Sequence, residues 1–244
     1  MKNTKISRSA IPNLFTAMNM FCGFLSIINA GQGEFMMASY LIFIAAVFDA
    51  LDGMVARLTK SSSALGVQLD SLSDAISFGA APAYLIYKAY LCQPQFGTIG
   101  IVISSLLLIA GGFRLARFNV QLVGFDKDYF KGIPIPLSAI SVASFILVYY
   151  KNGSFIEPYS SLFIPSWFVI SLVIALSLLM VSTIKYDTLP KPNIKDIKKK
   201  PFYFWFFIVS IIALALTEGK AIFLLFIFII AFGIIRYVYN LFTK

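Results

Sequence analysis

Four aspartates, Asp49, Asp52, Asp70 and Asp74, stand in a chain whose other segments are mostly apolar. Asp49 and Asp52 are three residues apart and Asp70 and Asp74 four, so each pair occupies one face of an α-helix. Charged groups at membrane depth are costly and turn toward a bundle interior. The chain must therefore fold so that two helices bring their acidic faces together and screen them from lipid. A cage of four carboxylates suits a hard divalent cation, Mg²⁺ or Mn²⁺, and two such ions can clamp a diphosphate.

The flanking sequence sets the surroundings. Hydrophobic residues make up 59% of the chain and charged residues 13%, which departs from the balance of a soluble domain. Several apolar runs approach or exceed the roughly 20 residues that cross a bilayer. The pattern predicts an all-α, polytopic transmembrane bundle of about eight helices, near residues 11–30, 35–58, 67–91, 98–118, 136–150, 162–183, 202–217 and 221–241. The fifth is short and is expected to start below the membrane surface. Ser9–Ala30 reads as a retained first helix, because its apolar part is too long and too often interrupted for a cleaved signal. Residues 1–184 form a six-helix core, 185–201 a basic loop and 202–244 two additional helices without chemistry of their own. Histidine is absent, and Cys22 and Cys92 form no CxxC, so neither a zinc site, a disulfide framework nor histidine acid–base chemistry is expected.

Lys and Arg are distributed one-sidedly. Lys2, Lys5, Arg8, Arg57, Lys60, Arg114, Arg117, Lys127, Lys131, the six lysines of 185–201, Arg236 and Lys244 fall on one side of this topology. Only Lys88, Lys151 and Lys220 fall on the other. Positively charged loops stay in the cytoplasm, which places both termini and the aspartates there, in the cell (inner) membrane. The net charge of +9 then reflects orientation and anionic headgroups rather than nucleic acid.

Around the aspartates the small residues have a purpose. Gly53 removes a side chain beside Asp52, Ala56 keeps the next turn low, and Gly66 clears space before the third helix. Arg57 offers a planar fork to phosphate oxygens. On the first helix Asn13, Thr16 and Asn19 lie near one stripe, suited to interhelical hydrogen bonds or to facing the acidic site. Together these features suit a diphosphate ester at the membrane surface.

The full arrangement, D-x2-D-G-x2-A-R-x8-G-x3-D-x3-D from Asp49 to Asp74, resembles the signature of the CDP-alcohol phosphatidyltransferases at every motif position. The resemblance covers helices one to six. It implies a six-helix core, a homodimer, and displacement of CMP from a CDP-linked lipid by an alcohol. It also implies that Asp49, Asp52, Asp70 and Asp74 hold the metal, with Asp74 as general base. Gly53, Arg57 and Ser63 match positions that contact the CDP moiety, and Asn13, Thr16, Ala56 and Gly66 are placed around it with them.

Three further stretches bear on the alcohol: Ser77–Ala83, the FRLARFN run of 113–119, and Phe130–Pro136 with its GIPIP. These, with the two extra C-terminal helices, are similar to the integral-membrane CDP-diacylglycerol–serine O-phosphatidyltransferases. That similarity implies CDP-diacylglycerol and L-serine as substrates. Arg114 and Arg117, three apart on one helix, are candidates to grip a serine carboxylate, or else anchor the helix at headgroup level. Asn119 and Lys131 are further candidates. The competing readings are another acceptor (glycerol 3-phosphate, inositol phosphate or choline), a metal-ion transporter, and a structural membrane protein. A transporter is disfavoured because the acids sit at helix ends rather than at the midplane of broken helices. The Lys/Arg asymmetry is checked by reporter fusions after Lys244: a cytoplasm-active reporter should be active and a periplasm-active one silent.

Overall fold

Gly33 folds the chain back on itself. Its φ of +86° lies in the left-handed region open to glycine, and the turn joins α1 (Ala10–Gly31) to α2 (Phe35–Thr59) as an antiparallel pair. The Ser26 hydroxyl, donating to the Ala38 carbonyl at 2.8 Å, ties the two helices near the turn. The computed structural model describes residues 10–59, 63–121, 129–151, 154–155, 166–187 and 221–242. The expected helix at 202–217, most of the basic loop before it, and the Lys131 side chain lie outside the described residues.

Ser63 starts the third helix. Its extended backbone and its hydroxyl, which accepts from the Gly66 amide at 3.0 Å, make an N-cap. Helix α3 then runs through residues 64–91 in four segments: α-helical at Ala64–Asp74, π-helical at Ala75–Ala80, α-helical at Ala81–Ile86 and π-helical at Tyr87–Leu91. The first π segment begins directly after Asp74 and ends shortly before Pro82, which has no N–H to continue an α-helical ladder.

Helix α4 (Gly97–Gln121) comes next, then α5 (Ile135–Tyr149), opened by Pro134 and Pro136, then α6 (Ser166–Val181) and α7 (Ala221–Phe242). The described residues thus hold seven helices, close to the predicted spans, and the fold is all-α. The departures are two minimal antiparallel ladders: β1 (Tyr129–Lys131) pairs with β4 (Lys185–Asp187), and β2 (Tyr150–Lys151) with β3 (Ser154–Phe155).

Close helix approach depends on small residues. A side chain at Gly23 of α1 would collide with the Ser77 backbone and hydroxyl of α3, so these helices meet backbone to backbone. The Ser73 and Ser77 hydroxyls of α3 donate to the Thr16 and Asn19 carbonyls of α1, at 3.0 and 2.8 Å. Fully buried Phe78, Leu85, Ile135, Phe145 and Leu176 fill the interior between the helices. Phe21, Phe24, Ile101, Ile109 and Phe113 lie exposed on the outside, as lipid-facing residues do. Residues 11–31 and 97–120 are each long and apolar enough to cross a membrane. With the enclosed acidic helices, this is the architecture of a membrane protein.

The segment before α5 is locked to the end of α6. The amides of Gly132 and Ile133 donate to the carbonyls of Ile184 (2.8 Å) and Leu179 (3.2 Å). Gly132 has a φ of +77°, and a Cβ there would press on the Leu179 and Met180 carbonyls. Gly132→Ala should therefore lower the thermal unfolding midpoint in detergent by several degrees, since left-handed backbone costs a non-glycine residue about 1–2 kcal/mol before the clash is counted. An unchanged midpoint would show that this junction yields freely.

Candidate active site

Thr16, Asp52, Asp70 and Asp74 meet because one end of the bundle gathers the start of α1, the end of α2 and the start of α3. Oxygens of Asp49, Asp70 and Asp74 all lie within 4.8 Å of one another. Asp52 stands beside them, 6% exposed, and accepts a 2.8 Å hydrogen bond from the Thr16 hydroxyl. The sequence pattern predicted a single cage of four. Three of them meet most tightly, and the fourth, Asp52, stays within electrostatic reach of Asp49 and Asp70 while it accepts from Thr16 of α1.

Next to the carboxylates is a cavity of about 220 Å³ lined by Asn13, Thr16, Gly53, Ala56, Arg57, Ser63 and Gly66, together with Asp52 and Asp70. All seven residues that the sequence placed around a nucleotide line this one cavity. Pro12 and Val67 line it too; nothing in their chemistry singled them out, and only their neighbours in the helix periodicity would have. Gly53 leaves the space that the Arg57 guanidinium crosses, with Nη1 3.5 Å from where a Cβ would stand. At Gly66 a Cβ would sit 3.1 Å from the Ser63 hydroxyl and 3.5 Å from the Asn13 amide oxygen, narrowing the cavity.

The donor set fits a divalent cation. Asp70 Oδ1 and Asp74 Oδ1 are buried and have no hydrogen-bond partner, and three carboxylates in contact without a cation between them leave their repulsion unbalanced. All-oxygen donors of this kind suit Mg²⁺ or Mn²⁺.

On the other side of Asp74 the two arginines of α4 part company. Arg114 is 8% exposed, lies within electrostatic reach of Asp74 and has its Nε unpaired; its guanidinium carbon stands 6.0 Å from the Phe118 ring centre. Arg117 instead caps α6, donating to the carbonyls of Val181 at 2.8 Å, Ser182 at 3.2 Å and Met180 at 3.3 Å. Asn119 donates to the Ser71 hydroxyl at 2.9 Å, on the α3 turn between Asp70 and Asp74, while its Oδ1 is buried and unpartnered. Sequence reasoning named Ser77 only as the start of a stretch bearing on the alcohol, and missed that Ser73 and Ser77 pin α3 to α1. Their signal was the run of small residues spaced by four beside the acidic face.

The sequence profile of the CDP-alcohol phosphatidyltransferases matches residues 9–181. The chain belongs to the CDP-alcohol phosphatidyltransferase family. Residues 9–181 carry the whole site, from α1 to the end of α6. Among similar proteins, a CDP-diacylglycerol–serine O-phosphatidyltransferase of Helicobacter pylori is 37% identical over 231 residues, covering 93% of this chain and 91% of that protein. An archaetidylserine synthase of Methanothermobacter thermautotrophicus is 41% identical over 189 residues, covering 76% and 73%. A CDP-diacylglycerol–serine O-phosphatidyltransferase of Methanocaldococcus jannaschii is 31% identical over 229 residues, covering 93% and 94%.

The Arg117 contacts in this phosphatidyltransferase predict a stability effect. Arg117→Ala should destabilise the fold by about 1.5–3 kcal/mol, the value of hydrogen bonds to a charged group, read as a lower unfolding midpoint. Arg117→Lys should recover only part, because an ammonium cannot reproduce the fork across three carbonyls.

Proposed function

We propose that the protein transfers the phosphatidyl group of CDP-diacylglycerol to the hydroxyl of L-serine and releases CMP. The observation that carries this reading is the cavity lined by the seven motif and stripe residues, opening directly on the carboxylate cluster. The names of two relatives that this chain matches over nearly all of their length support serine as the acceptor.

In this reading the CDP moiety occupies the cavity, with Arg57 on the diphosphate and Asn13, Thr16, Ser63 and the cleared space at Gly53, Ala56 and Gly66 around the nucleotide. Asp49, Asp70 and Asp74, with Asp52 alongside, would hold Mg²⁺ or Mn²⁺, two ions in the fullest case. When bound, the cation offsets negative charge on the diphosphate. The serine oxygen forms a bond to the lipid-side phosphorus, the bond from that phosphorus to CMP breaks, and the hydroxyl proton passes to Asp74. Arg114 faces the serine carboxylate, and the open Asn119 Oδ1 accepts from its ammonium. Arg117, already spent on α6, acts through position, and Lys131 stays a candidate from sequence. A cytoplasmic orientation with both termini inside brings soluble serine to the site, and a homodimer in the membrane accords with the family resemblance.

Purified protein should release CMP from CDP-diacylglycerol with L-serine and far less with glycerol 3-phosphate, and excess EDTA should abolish release reversibly. Asp49→Asn, Asp70→Asn and Asp74→Asn should each remove most of kcat. Arg114→Ala should raise the KM for serine about 10- to 150-fold, the equivalent of a lost charge-assisted contact, with little change for the lipid. Preference for glycerol 3-phosphate would overturn the acceptor, and full turnover in EDTA would overturn the cation.

A further inference from the structure

Asn19 is fully buried in α1, and neither its Nδ2 nor its Oδ1 has a hydrogen-bond partner among the described residues. A desolvated polar group left unpaired costs about 1–3 kcal/mol, and native folds keep such groups where something outside the protein chain completes them. The sequence offered two uses for this residue, an interhelical bond or the acidic site. The first needs a side-chain partner on a neighbouring helix, and the side chain has none among the described residues.

Its place in the bundle favours the second. One turn earlier on the same face of α1, Thr16 donates to Asp52. Helix α2 runs antiparallel, so Asp49, three residues before Asp52, lies one turn deeper and level with Asn19. On α3, Ser73 and Ser77 bond the carbonyls of Thr16 and Asn19, and Asp74 falls between those two serines. Asn19 therefore stands at the inward end of the cluster, at the depth of Asp49 and Asp74, and Asp74 Oδ1 is itself buried without a partner.

We infer that Asn19 is a positioning residue beneath the carboxylate cluster: its amide completes the hydrogen bonding of the inward carboxylate oxygens through one ordered water and holds them in the orientation that binds a divalent cation. The inference rests on the reading of the cluster as a cation site. Partners that orient ligating side chains are worth about 10- to 100-fold in metal affinity.

The test is a Mn²⁺ titration of the purified full-length protein in nanodiscs, read through the electron paramagnetic resonance of free Mn²⁺, beside the metal-free unfolding midpoint. Asn19→Leu keeps the branched outline and the number of side-chain heavy atoms and removes both unpaired groups. It should weaken Mn²⁺ binding at least tenfold while leaving the metal-free midpoint unchanged or raised. Asn19→Ala, which leaves room for water, should weaken binding in the same direction and serves if the leucine variant does not fold. Mn²⁺ affinity within threefold of wild type in a folded variant would overturn the inference, as would a lowered midpoint with unchanged affinity, the mark of a packing role. If the wild-type protein binds no Mn²⁺, the cation reading itself fails, and that result is separate from a loss confined to the variants.

Discussion

Three carboxylates brought within 4.8 Å of one another, with a fourth beside them, repel strongly where water is scarce. At an effective dielectric of about 20, each ionised pair at that separation costs roughly 3 kcal/mol. Helices bearing such charges would separate unless something else held them. Here the restraint comes from hydroxyl bonds and backbone contact: Ser73 and Ser77 onto α1 carbonyls, Ser26 onto α2, and the Gly23–Ser77 approach that leaves no layer of side chains to yield. The small and hydroxylated residues of α1 and α3 keep the acidic faces in place, and the repulsion that remains is what makes the cluster receptive to a cation.

Positive charge is divided by the same logic. Arg114 is enclosed close to Asp74, so it offsets part of the cluster's negative charge and leaves its Nε unspent. Arg117, less than one turn away, ends on three carbonyls at the close of α6. That clamp, the β1–β4 ladder and the Gly132 junction bind three chain segments into one collar at the end of the bundle that carries the site. That side of the site is thereby fixed without using the arginine enclosed near Asp74.

Much of this was legible in the residues. The acidic pairs announced themselves because spacings of three and four fix a helical face whatever the tertiary structure does. The helix spans came from apolar length, and the cavity lining from glycines and a fork-bearing arginine set at helical intervals. The illegible part depends on contacts between distant segments of the chain. Arg114 and Arg117 look equivalent in sequence, and only the arrival of the α6 terminus tells them apart. Asp52 receives its donor from a hydroxyl on another helix, which its own spacing does not show. Asn19 suited either an interhelical bond or the acidic site, and its lack of a partner among the described residues emerges only once the neighbouring helices are in place.

The wide turn directly after Asp74 has its own consequence. A π-helical segment takes more residues per turn than an α-helix, so Ala75–Ala80 shifts the angular phase between the two α-helical stretches that flank it. The first half of α3 must aim Asp70 and Asp74 at α2, while the second must bury Leu85 and Ile86. A helix of uniform pitch ties those two headings together at about 100° per residue. The broad turn uncouples them, like a slip joint between two lengths of shaft. The acidic half can change its heading during evolution without the interior being rebuilt, and the interior can drift without swinging the carboxylates off target.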